Sequence, residues 1–180
     1  MRKTARFSSP GSRGFTFIEL LIVVSIITLL SAASIPGFSG YIKSQNVKQS
    51  LEQVKSDLRT AQIRSMAGSL SDESGVDYWA VKFTSGGSSH GFYTYTTLTT
   101  GENKRSAAEK LVGDVTVKNV ITIFFRISDG DAFNTSGACN LNGANCRVII
   151  GTAGATGNNC AAIAVNTAGG MFKQEGVTCP

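Results

Sequence analysis

Glu19 is an acidic residue in a part of the sequence that is otherwise apolar. It stands near the start of residues 15–42, an apolar segment that has no other charge before Lys43. A charged side chain at the centre of a bilayer costs roughly 2.5–3.5 kcal/mol. The simplest explanation is an acid at a helix start, where the helix dipole favours negative charge by about 0.3–1 kcal/mol. The alternative is that the carboxylate is kept for a partner of opposite charge.

A second motif could be taken for a nucleophile. Gly87-Ser88-Ser89-His90-Gly91 matches G-x-S-x-G, but a nucleophile elbow needs a strand before it and a helix after it. Here we predict a strand on both sides, and therefore a polar hairpin. His90 is the only histidine in the chain, so no second histidine could act as the base of a triad. We predict no catalytic residue, no cofactor and no enzymatic activity.

Oxygen ligands occur together once. Asp129 and Asp131 flank Gly130, with Asn134 close by, and carboxylate and amide oxygens are typical calcium ligands. Acids in this arrangement are more often turn formers, and no bidentate glutamate follows at a suitable distance. We therefore predict no metal site. The sequence Asn134-Thr135-Ser136 matches the glycosylation sequon and indicates only a surface loop.

All four cysteines, Cys139, Cys146, Cys160 and Cys179, lie in the last quarter of the chain. An even number in an exported domain indicates disulfides, and four cysteines allow three pairings. We favour Cys139–Cys146 with Cys160–Cys179, because each closes a local loop or hairpin. A zinc site is disfavoured, because the spacings are not C-x-x-C and His90 is far away.

The first residues are basic and free of acids. The formal net charge is +5 and the isoelectric point is about 9.2, which would ordinarily suggest a nucleic acid or a membrane surface as partner. Removing residues 1–14 deletes Arg2, Lys3, Arg6 and Arg13 and no anion, so the charge would fall to +1. Residues 1–14 lack an apolar core of their own and are not a complete secretory signal.

The helical segment after this leader has membrane length. Residues 20–42 would span roughly 34 Å as a helix, against a hydrocarbon core of about 30 Å. Their apolar side chains cover all faces, so the helix must be buried in lipid or among other helices. Pro36, Gly37 and Gly40 predict a break in this helix, either a kink at the membrane exit or a stretch that extends when subunits pack.

A basic leader, a Gly14-Phe15 junction, an acid five residues after the glycine and a membrane-length helix closely resemble the N-terminus of type IV pilins and type II secretion pseudopilins. The resemblance implies that a prepilin peptidase cuts after Gly14 and N-methylates Phe15. Glu19 would then pair with the new amino terminus of a neighbouring subunit. The implied partners are other pilin or pseudopilin subunits in a helical filament, the inner-membrane assembly platform, and membrane lipid before assembly.

The same resemblance implies a location. The protein would cross the bacterial inner membrane once with its N-terminus in the cytoplasm, and would later join an extracellular pilus or a periplasmic pseudopilus. Two other interpretations stay open. Residues 20–30 could be the core of a secretory signal cut near Ser31-Ala32-Ala33, or the segment could be an uncleaved single-pass anchor.

Beyond the apolar segment, residues 43–68 predict an amphipathic helix. Val47, Leu51, Val54, Leu58 and Ala61 recur at spacings of four and three, so they form one apolar stripe that should lie on a sheet. Gly68 and the polar residues after it should end the helix.

Residues 69–180 predict a domain of short strands. The expected strands are 78–83, 92–98, 112–117, 120–127, 147–150, 161–165 and 170–173, with 120–125 as a central strand covered on both faces. Helices and strands do not alternate, so we predict an α+β fold in which a long kinked helix precedes an antiparallel sheet. We expect residues 133–146 to form a loop closed by its own cysteines.

The order of elements loosely resembles the GspH/FimT group of pseudopilins and minor pilins, through the Trp79 strand, residues 91–95 and the turn at 125–130. Some minor pilins of this group bind DNA. Here the cations of the exported domain are scattered and the tail lacks the Gly-Arg-x-Arg pattern, so DNA is disfavoured as a partner. The sequence leaves major pilin, minor pilin and secretion pseudopilin open.

Overall fold

The computed structural model describes residues 14–68 and 75–180, without the side chains of residues 33–37. The predicted leader before Gly14 and the polar residues 69–74 therefore lie outside the described residues. The chain divides into two compact units, Met1–Gly40 and Tyr41–Pro180. The domain boundaries predicted after residues 14, 42 and 68 stay predictions.

One helix, α1 (Phe17–Met66), supplies the helical part of both units. Pro36 and Gly37 fall within its bounds, but their side chains are outside the described part, so the predicted break stays a prediction. Gly40 is exposed, and a Cβ atom added there would meet nothing within 4 Å. Among the described residues, no helical stretch combines the length and the apolarity needed to span a membrane.

The part of α1 in the second unit is amphipathic, as predicted. Leu51, Val54, Leu58 and Ala61 are each at most 2% exposed and belong to the main core. The helix ends where expected, because Gly68 has a φ of 61° and its N–H donates to the Ser65 carbonyl at 3.2 Å. A left-handed glycine just past the last turn is a common helix C-cap.

Residues 75–180 fold into two antiparallel sheets. The strands are β1 (Tyr78–Phe83), β2 (Ser89–Tyr95), β3 (Asn103–Lys104), β4 (Glu109–Lys110), β5 (Val115–Val117), β6 (Ile121–Arg126), β7 (Ala132–Asn134), β8 (Gly137–Ala138), β9 (Arg147–Thr152), β10 (Cys160–Val165) and β11 (Met171–Val177). The larger sheet has the order β3-β2-β1-β6-β7-β8, with β4 also paired to β2. The smaller sheet has the order β11-β10-β9-β5. This arrangement confirms the predicted α+β class.

Strand register explains how the two sheets share one core. Opposite residues of an antiparallel pair point to the same face, so Phe92, Val81 and Ile123 form one row on the inner face. They pack with the α1 stripe and with Val148, Ile150 and Ile163 of the smaller sheet. The outer face of β6 is covered too, because Phe124 is 1% exposed among tyrosines of β1 and β2. The middle of β6 is therefore covered on both faces. The prediction was wrong for Val120, which precedes the strand and is 74% exposed.

Several predicted strand bounds were wrong. β2 begins at Ser89 instead of residue 92, because His90 pairs in register with Phe83 and the turn is confined to residues 84–88. The strand predicted at 112–117 is only β5, Val115–Val117, and β11 runs on to Val177. The predicted loop 133–146 contains β7 and β8, which extend the larger sheet.

Candidate processing and assembly site

The first helical turn of α1 is fixed by a cap. The hydroxyl oxygen Oγ1 of Thr16 accepts from the Glu19 backbone N–H at 3.3 Å, and the Leu20 N–H donates to the Thr16 carbonyl at 3.2 Å. Thr16 is thus the N-cap, and Glu19 occupies the position that a capping box gives to an acid. The cap joins the side-chain hydroxyl of Thr16 to the backbone N–H of Glu19, so it does not use the Glu19 carboxylate.

Apolar side chains around Glu19 are exposed in every direction. Each is between 47% and 83% exposed within the described structure: Phe15, Phe17, Ile18, Leu20, Leu21, Ile22, Val23, Val24, Ile26, Ile27, Leu29 and Leu30. Soluble monomers rarely show contiguous apolar surface on this scale. A helix that is apolar all round needs an apolar environment supplied from outside the chain.

The hydroxyl groups in this segment are satisfied internally. Ser25 donates to the Leu21 carbonyl at 2.7 Å, and Ser31 donates to the Ile27 carbonyl at 2.8 Å. Thr28 donates to the Ser25 carbonyl at 2.8 Å. Bonds of this kind let serine and threonine sit in an apolar helix without an unpaired donor.

Glu19 is the exception among the polar side chains of residues 17–32. Its side chain is exposed, and no cation of residues 14–68 or 75–180 lies within ion-pair distance of it. A carboxylate that enters an apolar environment unpaired is strongly penalised, whereas a paired one is tolerated. The segment therefore presents one charge that needs a partner from outside the described structure.

The junction before the helix is open. Gly14, Phe15 and Thr16 are exposed and precede the helix, and a Cβ atom added at Gly14 would meet nothing within 4 Å. Packing within the described chain therefore does not require glycine at this position.

These features define an α+β protein whose N-terminal helix is apolar on all faces and carries a single acid in its first turn. Residues 10–35 match the family model of the prokaryotic N-terminal methylation motif. The chain thus carries the prepilin signature of type IV pilins and pseudopilins, which confirms the resemblance seen at the N-terminus. No curated protein and no solved structure gives a significant match to the chain.

The four cysteines form two disulfides in the structure. Cys139 is bonded to Cys146 and Cys160 to Cys179, with Cα–Cα distances of 5.5 and 5.3 Å. These are the two pairs favoured from the sequence. One closes the loop between β8 and β9, and the other joins the start of β10 to the C-terminal tail.

The acids considered as calcium ligands are held by an arginine. Arg126 Nη2 lies 2.5 Å from Asp129 Oδ2 and 3.2 Å from Asp131 Oδ2. The hydrogen bond from the Arg126 guanidinium lowers the pKa of Asp129 below its ordinary value. A cation of the protein thus occupies the position between the two carboxylates. Among the described residues, no group of three or more potential ligands could hold a metal ion.

His90 lies in β2, and its buried side chain contacts residues of α1 and β1. Its Nε2 atom is 2.8 Å from Asp57 Oδ2 on α1, and its ring stacks on Phe83. Ser88 and Ser89 precede it, and no helix follows β2. The G-x-S-x-G pattern therefore lacks the strand–turn–helix context of a nucleophile elbow.

Two features of the apolar segment were not predicted from the sequence: the Thr16 cap and the serine and threonine hydroxyls that bond within the helix. Both had local signals: Thr16-Phe17-Ile18-Glu19 is a T-x-x-E capping box, and a serine or threonine within a helix commonly bonds the carbonyl four residues before it. The Asp57–His90 contact had no such signal, because it joins residues 33 positions apart.

Proposed function

We propose that this protein is a prepilin, a non-enzymatic subunit of a type IV pilus-like filament. The observation that carries the proposal is the prepilin signature at residues 10–35. From Phe17 onward this signature lies on a helix with exposed apolar faces and one acid that has no ion-pair partner among the described residues. Residues 15–42 would hold the protein in the bacterial inner membrane, with the basic leader in the cytoplasm. In the filament, these helices would form the core and the sheet domain would coat it.

Cleavage would create the missing partner of Glu19. Cutting after Gly14 removes residues 1–14 and leaves the α-amino group of Phe15, which a methyl transfer would convert to a secondary amine. Both forms are cationic near neutral pH. In a filament core, this ammonium group of one subunit would pair with the Glu19 carboxylate of its neighbour. Either charge alone would oppose burial, so only processed subunits could assemble.

A set of substitutions at Glu19 tests this role in filaments. In a strain that lacks the chromosomal copy, we expect Glu19→Ala to remain in the membrane fraction, because the ammonium of the neighbour would be buried unpaired. Glu19→Asp should assemble in part. The measured quantity is the share of subunit in sheared filaments, determined by immunoblot.

The helix offers a matched control at Ser25. Ser25→Ala removes a hydroxyl that bonds only within the helix, so it should assemble like the wild type. The Thr16 cap survives in Glu19→Ala because it uses the Glu19 backbone N–H. Wild-type incorporation of Glu19→Ala would show that charge pairing is unnecessary and would overturn the proposal.

The subtype is a separate choice between a pilus subunit, a GspH-like secretion pseudopilin and a minor pilin for tip adhesion or DNA uptake. DNA is disfavoured, because Lys82, Arg126 and Lys173 of the sheet domain are paired with carboxylates. Counting pili and measuring DNA uptake in a deletion strain separates these roles. A structural subunit predicts fewer or shorter filaments, whereas a receptor predicts normal filaments with lost uptake.

A further inference from the structure

A polar surface pocket of about 290 Å³ opens beside the disulfide loop, within the unit Tyr41–Pro180. It lies between the start of β6, the β7–β8 turn and the start of β9. Asn119, Asn134, Asn145, Thr135, Arg147 and Ile149 are among its lining residues. Typical pockets for drug-sized ligands span about 300–1,000 Å³, so this volume suits a ligand the size of one sugar ring.

The three asparagine amides of the pocket are held in place by backbone groups. Asn119 donates to the Arg147 carbonyl at 2.7 Å and accepts from the Ile149 N–H at 2.8 Å. Asn134 donates to the Asn145 carbonyl at 2.7 Å and accepts from the Ser136 N–H at 2.8 Å. These bonds fix the orientation of both amides before any ligand arrives.

Asn145 is fixed in the same way, inside the loop that Cys139 and Cys146 close. It accepts from the Asn140 N–H at 2.6 Å and donates to the Ala138 carbonyl at 3.0 Å. An amide group has two N–H donors and two lone pairs on its oxygen. Each of the three amides therefore keeps one N–H donor and one lone pair on its oxygen. A sugar hydroxyl can accept a hydrogen bond from such an N–H and donate one to such an oxygen. Groups already held in place lose little entropy on binding.

The positive charge in the lining of the pocket makes some polar ligands more favourable than others. Arg147 is its one charged lining residue, so the pocket favours an anion. The Nε atom of Arg147 is buried without an acceptor among the described residues, and Nη1 lies a long 3.5 Å from Gln174 Oε1. A buried donor without an acceptor is unfavourable, and a ligand carboxylate would supply one.

We propose that this pocket binds a monosaccharide unit that carries a carboxylate, such as a uronic acid. Arg147 would bind the carboxylate, and the spare groups of Asn119, Asn134 and Asn145 would bind ring hydroxyls. The proposal does not depend on filament assembly, because every residue that it uses lies in the sheet domain.

Two sugars of nearly equal shape test the proposal. Galacturonic acid and galactose differ only in whether one carbon is a carboxylate or a hydroxymethyl group. Full-length protein in detergent micelles is titrated with each sugar and followed by saturation-transfer difference NMR. Because charge-assisted hydrogen bonds are the stronger ones, we expect galacturonic acid to bind about tenfold or more tightly than galactose.

Three variants assign that preference to the pocket. Arg147→Gln should remove the preference for the acidic sugar. Thr135→Trp places a large side chain at an exposed lining position, so it should abolish binding of both sugars. Lys104→Gln removes an exposed cation of β3, outside the pocket, and should leave binding unchanged.

Equal affinity for the two sugars, no saturation transfer to galacturonic acid, or a preference that survives Arg147→Gln would each overturn the proposal. If circular dichroism shows that Arg147→Gln does not fold, the binding measurement on Thr135→Trp decides whether the pocket is the site. Undiminished binding by that variant places the ligand elsewhere and also overturns the proposal.

Discussion

At the scale of residues, Thr16 and Glu19 have different roles in the first helical turn. The Thr16 hydroxyl accepts a hydrogen bond from the Glu19 backbone N–H. The Glu19 carboxylate is therefore not needed to cap the helix in the described chain. The sequence alone identified Glu19 as a candidate for charge pairing, because it is a single acid in a long apolar run, and this role stays a prediction. It did not predict His90 as a buried residue, because its partner Asp57 lies on a distant part of the chain and no local pattern connects the two.

The Asp57–His90 bond predicts a stability effect. Asp57→Ala leaves both ring nitrogens of the buried His90 without a partner among the described residues, which should lower the free energy of unfolding by about 1–3 kcal/mol. Urea denaturation followed by circular dichroism measures this loss. Ser56→Ala, at an exposed position one residue earlier, should change stability little. Equal stability of the two variants would contradict the role given to Asp57.

Two surface acids predict a dependence on pH. The hydrogen bond from Lys82 lowers the pKa of Glu102, and the hydrogen bond from Arg126 lowers the pKa of Asp129. A carboxylate with a lowered folded-state pKa stabilises the fold above its ordinary pKa and loses that effect as the pH falls through the folded value. The ordinary values are 4.5 and 3.8, so the loss should begin near pH 4.5 and continue below 3.8.

The variant Glu102→Gln/Asp129→Asn should therefore lose less stability than the wild type over this acid range. Urea denaturation at a series of pH values gives the comparison. Glu109→Gln, which removes another exposed acid, should behave like the wild type. A double variant that follows the wild-type pH curve would show that the two ion pairs add no stability. Both pairs are solvent-exposed, so the difference should be small.

At the scale of elements, α1 carries two different surfaces in one helix. Its first part is apolar on all faces, whereas the part after Tyr41 buries one stripe against the sheets. The sequence predicted both, because helical periodicity is a local pattern that does not depend on the rest of the fold.

The buried stripe predicts that two apolar residues of α1 contribute differently to the free energy of unfolding. Leu58 is fully buried, so Leu58→Ala should lower the free energy of unfolding by about 2–5 kcal/mol. Ile63 is 52% exposed, and Ile63→Ala should change it by no more than about 0.5 kcal/mol. Chemical denaturation of both variants provides the measurement. Similar losses would mean that the helix does not pack on the sheets through this stripe.

The strands were predicted unevenly for a physical reason. β1, β6 and β10 are rich in apolar residues, and their bounds were found to within one residue of the structure. β3, β4 and β8 have two residues each and mostly exposed side chains, so they exist only because a neighbouring strand offers hydrogen bonds. Pairing with a distant strand leaves no periodic signal in so short a segment. The pocket beside the disulfide loop was missed likewise, because its lining residues come from separate elements.

At the scale of the whole molecule, removal of the leader changes both charge and chemistry. It would lower the formal net charge from +5 to +1 and create an amino terminus at Phe15, the first residue of the apolar segment. A nearly neutral product has little electrostatic attraction to polyanions, which agrees with the disfavoured DNA role. The central claim is that this cleavage supplies the partner of Glu19.

The intact mass of the membrane-extracted protein tests that claim most directly. We predict the mass of residues 15–180 with two disulfides and one added methyl group. Gly14→Val, at a position where an added Cβ atom meets nothing within 4 Å, should keep its leader and serve as the uncleaved control. A wild-type mass that retains residues 1–14, or that begins at Ala32 or Ser34, would contradict the account.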